Sequence, residues 1–305
     1  MSAAGAGGRP DTGDAWVRAM PAVFVLIWST GFVVARLGMP HAPPFGFLAW
    51  RFALSVLLFL VWVGLSRAVW PQGRTQWLHL AVTGVLMHGG YLGGVWAAVK
   101  GGLGAGTAAL IVGLQPLLTA CWMSMQGPGH RIGARQWLGL ALGLGGLLLV
   151  VLHRLGSGQA TIVNVALAIG ALASITAGTL YQKGRVAPCD VRTAAVVQLL
   201  AALAVTLPLA LLETEPLVWH RDLQIAMAWS VVALTLGGSS LLYLLIQRGA
   251  ATRVSSLMYL VPPCTAVLAW LMFDEPITAS VVGGMVLTAV GVGLVLHQPA
   301  ARPPR

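Results

Sequence analysis

GGYLGGVWAAVKGGLGAGTAALIVGLQP, residues 89–116, and LGGSSLLYLLIQRGAATRVSSLMYLVPP, residues 236–263, stand 147 positions apart and share a layout. Gly90 meets Gly237, Gly102 meets Gly249 and Pro116 meets Pro263. Outward from this core the same offset joins Gly31 to Gly178 and Gly146 to Gly293. In a chain with 38 glycines a single match means little. An ordered, ungapped set means more, because it also aligns helix ends with helix ends, and it marks an internal duplication.

Both copies are built for an apolar solvent. The chain is 57% hydrophobic and only 9% charged, with a mean hydropathy of +0.83, so it lacks the Lys, Glu and Asp needed to cover a water-soluble surface. The net charge of +10 does not indicate nucleic acid. Its basic residues fall one or two at a time between apolar runs instead of forming a patch. Cys121, Cys189 and Cys264 have neither metal-ligand spacing nor an even framework for disulfides, and read as small packing residues. Nothing in the pattern calls for a metal or cofactor. Ten apolar runs, at 17–36, 43–66, 76–99, 104–124, 132–152, 161–183, 189–212, 223–247, 253–273 and 277–297, each approach the length of about 20 residues that spans a bilayer. The expected fold is therefore all-α, with ten transmembrane helices in two five-helix repeats at 15–152 and 161–297. The first run is followed by further spans and reads as a retained helix, not a cleaved leader.

The connections alternate in charge. One set holds Arg9, Arg18, Arg67, Arg74, Arg131, Arg135, Lys183, Arg185, Arg192, Arg248, Arg253, Arg302 and Arg305; the other holds only Arg36, Lys100, Arg154 and Arg221. The positive-inside bias puts the richer set, and both termini, in the cytoplasm. Glu213, Glu215, Asp222, Asp274 and Glu275 then lie outside. Because five spans per half is an odd number, the second half enters the membrane from the opposite face. Inverted halves can exchange conformations about one central site, the arrangement that alternating access requires. Against that stands a duplication that merely enlarged a bundle, as in a membrane assembly protein. An intramembrane enzyme is disfavoured by pattern: no apolar run holds an Asp or Glu past its first two residues, and there is no His-x-x-x-His or nucleophile elbow.

Several short words in order strengthen the transport reading. They are Ile27-Trp28-Ser29-Thr30-Gly31-Phe32, Trp50-Arg51-Phe52, Ala108-Ala109-Leu110-Ile111 leading to Gln115-Pro116, Ser255-Ser256-Leu257 leading to Pro262-Pro263, and Asp274-Glu275-Pro276. In these the chain resembles the drug/metabolite transporter superfamily, ten-span carriers made of two EamA-type repeats, from about Ala15 to His297. The resemblance implies a central path walled by spans one to four and six to nine, with spans five and ten outside as support or dimer elements. It also implies a bacterial cytoplasmic (inner) membrane location. Glu275 matches the family pattern, whereas its first-half counterpart, Pro128, departs from it. Gly139 and Gly143 in span five, with Gly283 and Gly284 in span ten, suit either packing within one chain or a homodimer.

Candidate path residues follow from polarity inside the spans. Trp28 and Thr30 in span one, with Ser174, Thr176 and Tyr181 in its counterpart, offer one lining, although Ser and Thr hydroxyls also satisfy themselves on their own helix. His79, Thr83, Met87 and Tyr91 step by four and form one stripe on an α-helix, with His88 on another face. Each His is either a path residue or a satisfied packing residue. Trp96 aligns with Tyr243, so these rings are either interfacial belt residues or paired gates. Gln115 beside the helix break at Pro116, and Tyr259 one turn before the break at Pro263, offer polar groups next to backbone carbonyls freed by proline. Arg51 lies deep in span two, with uncharged Gln198 at the equivalent place; it serves a substrate carboxylate, a backbone cap or an aqueous cleft.

This lining has neither clustered cations for a polyvalent anion nor an acid for an organic cation. It suits a small amphipathic or zwitterionic metabolite, and the resembled carriers include exporters of amino acids, aromatic ones among them. Export of such amino acids is the expectation, with a proton-coupled multidrug or toxic-compound exporter as the alternative. Without a membrane carboxylate, downhill export is favoured over obligatory proton exchange.

Overall fold

Proline and left-handed residues set where the apolar runs start and stop. The computed structural model describes residues 12–125, 133–238, 241 and 258–296. Helix α1 covers Thr12–Gly38 and leads through a 3-10 turn, Met39–His41, to α2, Pro44–Ser66. Proline suits the first turn of α2 because the missing N–H would have no helical acceptor there. At its other end Arg67 adopts a left-handed conformation (φ 48°), as Asp274 does (φ 55°) at the end of a later helix. Both stop the helix by turning the chain out of its right-handed path.

The third apolar run is one 27-residue rod, Arg74–Lys100, with a wide turn at its middle. Helix α3 (Arg74–Gly84) passes into a π-helical segment, Val85–Gly90, and then into α4 (Tyr91–Lys100). The fourth run is broken: α5 (Ala105–Val112) and α6 (Gln115–Met125) are separated by Gly113 and Leu114. Then come α7 (Ala134–Gly156), α8 (Ile162–Arg185), α9 (Val191–Leu212) and α10 (Arg221–Trp229), which runs into a second π-helical segment at Ser230–Gly238. After a 3-10 turn at Met258–Leu260, the chain ends in α11 (Val261–Phe273) and α12 (Ala279–Leu296). The described residues hold no strand. Six of the helices are long and apolar enough to cross a membrane, and three more, Ala105–Thr119, Met258–Phe273 and Ala279–Val295, are apolar but shorter. Parts of the expected eighth and ninth spans, including Tyr243 and Ser255-Ser256-Leu257, lie outside the described residues.

The two halves are packed into each other instead of side by side. Helix α2 lies along α9, α4 along α8, and α1 against α10 and α11. One continuous apolar cluster runs from Phe24 and Phe47 in the first half to Leu199, Ala226 and Ala269 in the second. In lipid such an interface is held by close van der Waals packing, since the tails are as apolar as the side chains. Helices α7 and α12 show how close it becomes. A Cβ added at Gly139 would sit 2.5 Å from the Gly291 carbonyl oxygen, and one at Gly146 would sit 2.5 Å from that of Gly284. As one contact steps forward in α7 the other steps back in α12, so the two helices run antiparallel with their backbones touching. Gly139, Gly143 and Gly284 are therefore occupied in packing inside the chain. Leu57, Val61 and Leu65 on α2, with Leu148 and Leu152 on α7, are left exposed, as an apolar surface turned to lipid must be.

Candidate functional site

Polar side chains inside a bilayer need partners, and here they find them across the two halves. Arg51 on α2 is buried, and its Nη2 donates to Thr235 Oγ1 in the second π segment at 3.3 Å. His88 in the first π segment lies within hydrogen-bonding reach of the side chain of Gln198 on α9. Gln198 stands 147 positions on from Arg51, and Thr235 stands 147 on from His88. The two contacts are thus the same contact made once in each direction. Each joins the second span of one half to the wide turn of the other.

The wide turns make room for this. A π turn holds an extra residue compared with an α turn, leaving backbone groups less tightly stacked, and such bulges recur at functional sites. Thr235 also donates to the Ser230 carbonyl five residues back, a contact that spans the turn. Gly84, one residue before the first π segment, lies so close to the Gln198 backbone that any side chain there would collide with it. Tyr91, buried just after this segment, lies within electrostatic reach of Arg51. Arg51 is not saturated by these neighbours. Its Nε is buried and has no hydrogen-bond partner among the described residues. A guanidinium has five N–H donors, and all eight acids of the sequence fall at the ends of the spans or beyond them, so Arg51 has donor capacity and, among the described residues, no counter-charge beside it.

The π segment corrects the expected stripe of His79, Thr83, Met87 and Tyr91. Four-residue steps align only on an α-helix, and the wide turn at Val85–Gly90 rotates Tyr91 away from the face of His79. His79 instead pairs through Nδ1 with the Tyr181 hydroxyl at 2.8 Å, near one end of the bundle, while Thr83 donates to the His79 carbonyl. Two more candidates also reach across the halves. Thr30 Oγ1 accepts from Trp229 Nε1 at 2.8 Å, and Gln115 Nε2 donates to Thr179 Oγ1 at 2.9 Å. Trp28 packs on Phe24 with ring centroids 5.4 Å apart. Trp96 is buried, stacked on Phe47 at 4.2 Å, so its ring is open to neither lipid nor water in this conformation. Tyr243, its proposed counterpart, lies outside the described residues.

The two proline breaks meet. Pro116 follows the Gly113-Leu114 break by two residues, and a Cβ at Gly113 would lie 2.9 Å from the Pro262 ring. Beside them is a cavity of about 30 Å³ lined by Tyr259, Pro263, Met285 and Thr288. That is room for a water or two and not for a metabolite. The Tyr259 hydroxyl and Thr288 Oγ1 are buried without partners among the described residues, so ordered water is the natural occupant. Sequence reasoning placed Arg51, His88 and Tyr91 in the path but missed Thr235, and saw in Gln198 only the equivalent of Arg51. The 147-residue offset carried the signal for both, since it maps His88 onto Thr235.

At one end of the bundle the halves are also clamped. Glu213, just past α9, accepts from the N–H groups of Phe45 (3.0 Å) and Gly46 (2.7 Å) at the start of α2. Glu275, just past α11, accepts from Ala105 N at the start of α5 (3.0 Å) and faces Arg36 at 3.8 Å. Lys100 meets Glu215 at 2.5 Å and donates to the Met39 carbonyl. Carboxylates at helix N-termini answer both the free N–H groups and the helix dipole. The acids come from the second half and the helix starts from the first.

Apolar helices facing lipid, halves interleaved about a buried polar centre and a clamp at one end define an integral membrane carrier. A sequence profile of the EamA-like transporter family matches residues 16–152 and again 163–297, and the chain belongs to that family. It is 25% identical over 279 residues to the "Uncharacterized transporter YvbV" of Bacillus subtilis (strain 168), covering 90% of this chain and 89% of that one. It is 24% identical over 279 residues to the "Probable amino-acid metabolite efflux pump" of Escherichia coli (strain K12), covering 88% and 90%. A solved structure titled "Crystal structure of protein" superposes with a TM-score of 0.62 at 20% identity, over 92% of this chain and 97% of that one, a likeness of fold. The family and the two named relatives are described as transporters, not enzymes.

Proposed function

We propose that this chain exports small amphipathic or zwitterionic metabolites, amino acids including aromatic ones, across a bacterial inner membrane by alternating access. Residues 15–152 and 161–297 form two inverted repeats of five spans each, with both termini cytoplasmic. The observation that carries this reading is the reciprocal pair Arg51–Thr235 and His88–Gln198. Two contacts that differ only by exchange of the halves are what a carrier needs if its two end states interchange the roles of those halves. Arg51, with a free Nε, receives the substrate carboxylate. Tyr91 and Trp28 border the apolar body of the substrate, and Gln115 orients its polar end. The name of the Escherichia coli relative supports the amino-acid class.

Counterflow of labelled phenylalanine into proteoliposomes tests this. Phenylalanine is expected to exchange with the proton gradient collapsed, and excess unlabelled phenylalanine to compete far better than phenethylamine, which lacks the carboxylate. Arg51→Gln should lower exchange and level the two competitors. Absence of phenylalanine counterflow sinks the substrate class, and an unaltered carboxylate preference in Arg51→Gln sinks the role of Arg51.

A further inference from the structure

At the end of the bundle opposite the acid clamp, the turn between α2 and α3 repeats one short word. Arg67-Ala68-Val69-Trp70 and Arg74-Thr75-Gln76-Trp77 each set an arginine three residues before a tryptophan. The two tryptophans stack, with ring centroids 5.8 Å apart and planes 10° from parallel, so the two words fold onto one platform. We propose that this turn, with Arg185 at the end of α8, binds the headgroup of an anionic phospholipid, and that the bound lipid ties the two halves together at this end.

The platform is held in shape from both halves. Trp77 Nε1 donates to the Pro71 carbonyl at 2.9 Å and Gln72 Nε2 to the Trp70 carbonyl at 3.1 Å, which closes the turn on itself. From the second half, Thr193 Oγ1 donates to the Val69 carbonyl at 2.8 Å. The Gln76 side chain donates to the Ala187 carbonyl at 2.8 Å and accepts from the Ala187 N–H at 3.2 Å. Arg74 stands two residues from this reciprocal pair on one side and Arg185 two residues from it on the other. The arginine that opens α3 and the one that ends α8 therefore flank a single junction between the halves.

Charge and polarity select the ligand. Arg67, Arg74 and Arg185 are exposed, and among the described residues none of them pairs with a carboxylate. Asp190, the acid at the start of α9, is taken up by Arg192, which also lies 5.9 Å from the centre of the Trp62 ring. Leu65, Val69 and Leu78 are exposed on the same stretch, so cationic and apolar groups alternate on one surface. A soluble anion would use only the cations. A phospholipid uses both, its phosphate accepting from the guanidinium forks and its acyl chain lying on the apolar side chains, with tryptophans at headgroup depth. The Trp77 N–H is already spent on Pro71, which leaves selection among headgroups to the arginines. They favour a net negative headgroup, because the ammonium of a zwitterionic one would add a further positive charge. Neither the site nor the tie depends on which solute the protein carries.

The test uses the full chain purified in an uncharged detergent and titrated with lipid, with retained lipid read by native mass spectrometry. The first phosphatidylglycerol is expected to bind several-fold more tightly than phosphatidylcholine. An arginine near a headgroup is worth about fivefold in affinity, so Arg74→Gln should weaken phosphatidylglycerol binding by about that factor, and Arg67→Gln with Arg74→Gln by about 25-fold. Arg135→Gln removes an equally exposed charge from the first turn of α7 and should bind as the parent does. Phosphatidylglycerol should raise the melting temperature of the parent, and should raise that of Arg185→Gln much less. Equal affinity for the two lipids, or equal losses in Arg74→Gln and Arg135→Gln, overturns the site. Displacement of the lipid by equimolar glycerol phosphate overturns a lipid as the occupant, since the apolar side chains would then contribute nothing. An equal rise in melting temperature in parent and Arg185→Gln overturns the tie between the halves.

Discussion

At the start of α9, Asp190 carries two tasks on one carboxylate. Its Oδ1 accepts from the Arg192 backbone N–H at 3.0 Å and its Oδ2 from Arg192 Nη2 at 2.6 Å, so it caps the helix and holds a guanidinium. Hydrogen bonds from the Arg192 side chain, foremost, hold its carboxyl below the ordinary value of 3.8. A carboxyl lowered on folding stabilises the folded chain above its ordinary pKa, and that contribution fades as the pH falls through the lowered value. Asp190→Ala should therefore cost about 1 kcal/mol at pH 7 and progressively less below pH 3.8, read by thermal unfolding in detergent. A deficit that grows on acidification would contradict this account. The capping role is local and legible in the sequence, as an Asp before an apolar run. Arg51 is a different case. Its depth in a span and its Gln198 equivalent could be read from residue order, but its bond to Thr235 depends on how two halves interleave, and no local pattern encodes that.

Elements show the same division between what short-range order carries and what packing decides. The apolar runs and their Pro and Gly ends foretell α2, α7, α8 and α9 to within a few residues. The π segments at Val85–Gly90 and Ser230–Gly238 were not foretold, because neither stretch has a composition that separates it from an α-helix; the extra residue is set by packing, of the first segment against α8 and α9 and of the second against α1 and α2. They lie at matching places in the two halves, so the wide turn belongs to the repeat and not to one helix. For α7 and α12 the glycines signalled close approach, while the choice between a neighbour in the same chain and a second copy needed coordinates. Gly146→Ala places a Cβ 2.5 Å from the Gly284 oxygen and 2.8 Å from Thr288 Oγ1. Backbone cannot yield as a side-chain tip can, so the cost is expected at about 1–3 kcal/mol. Gly145→Ala, next door in open space, should be neutral or stabilising by up to about 1 kcal/mol. Equal melting temperatures for the two variants would remove α7–α12 contact as a source of stability.

On the scale of the whole molecule, the clamp sets which way this conformation is closed. Glu213, Glu215 and Glu275 in the second half grip α2, Lys100 and α5 in the first, and Arg154 on α7 donates to the Pro276 carbonyl across the same divide. Under the proposed topology this is the outer face. A carrier that alternates must release these bonds to open there, so each acid biases the equilibrium toward the closed form without touching substrate. Glu213 is the sharpest probe, because one carboxylate holds two backbone N–H groups that have no helical acceptor. Bonds to charged groups are worth about 1.5–3 kcal/mol each, and part of that returns when water solvates the freed α2 terminus. Glu213→Ala should then raise the open population by about tenfold. In a cysteine-free form carrying Leu103→Cys, at a fully buried position between α4 and α5, alkylation by an impermeant maleimide should accelerate to match, from the outer side only. Faster labelling from the cytoplasmic side instead would reverse the assigned orientation. An unchanged rate from both sides would mean that Glu213 caps α2 in the open and closed forms alike and takes no part in the gate.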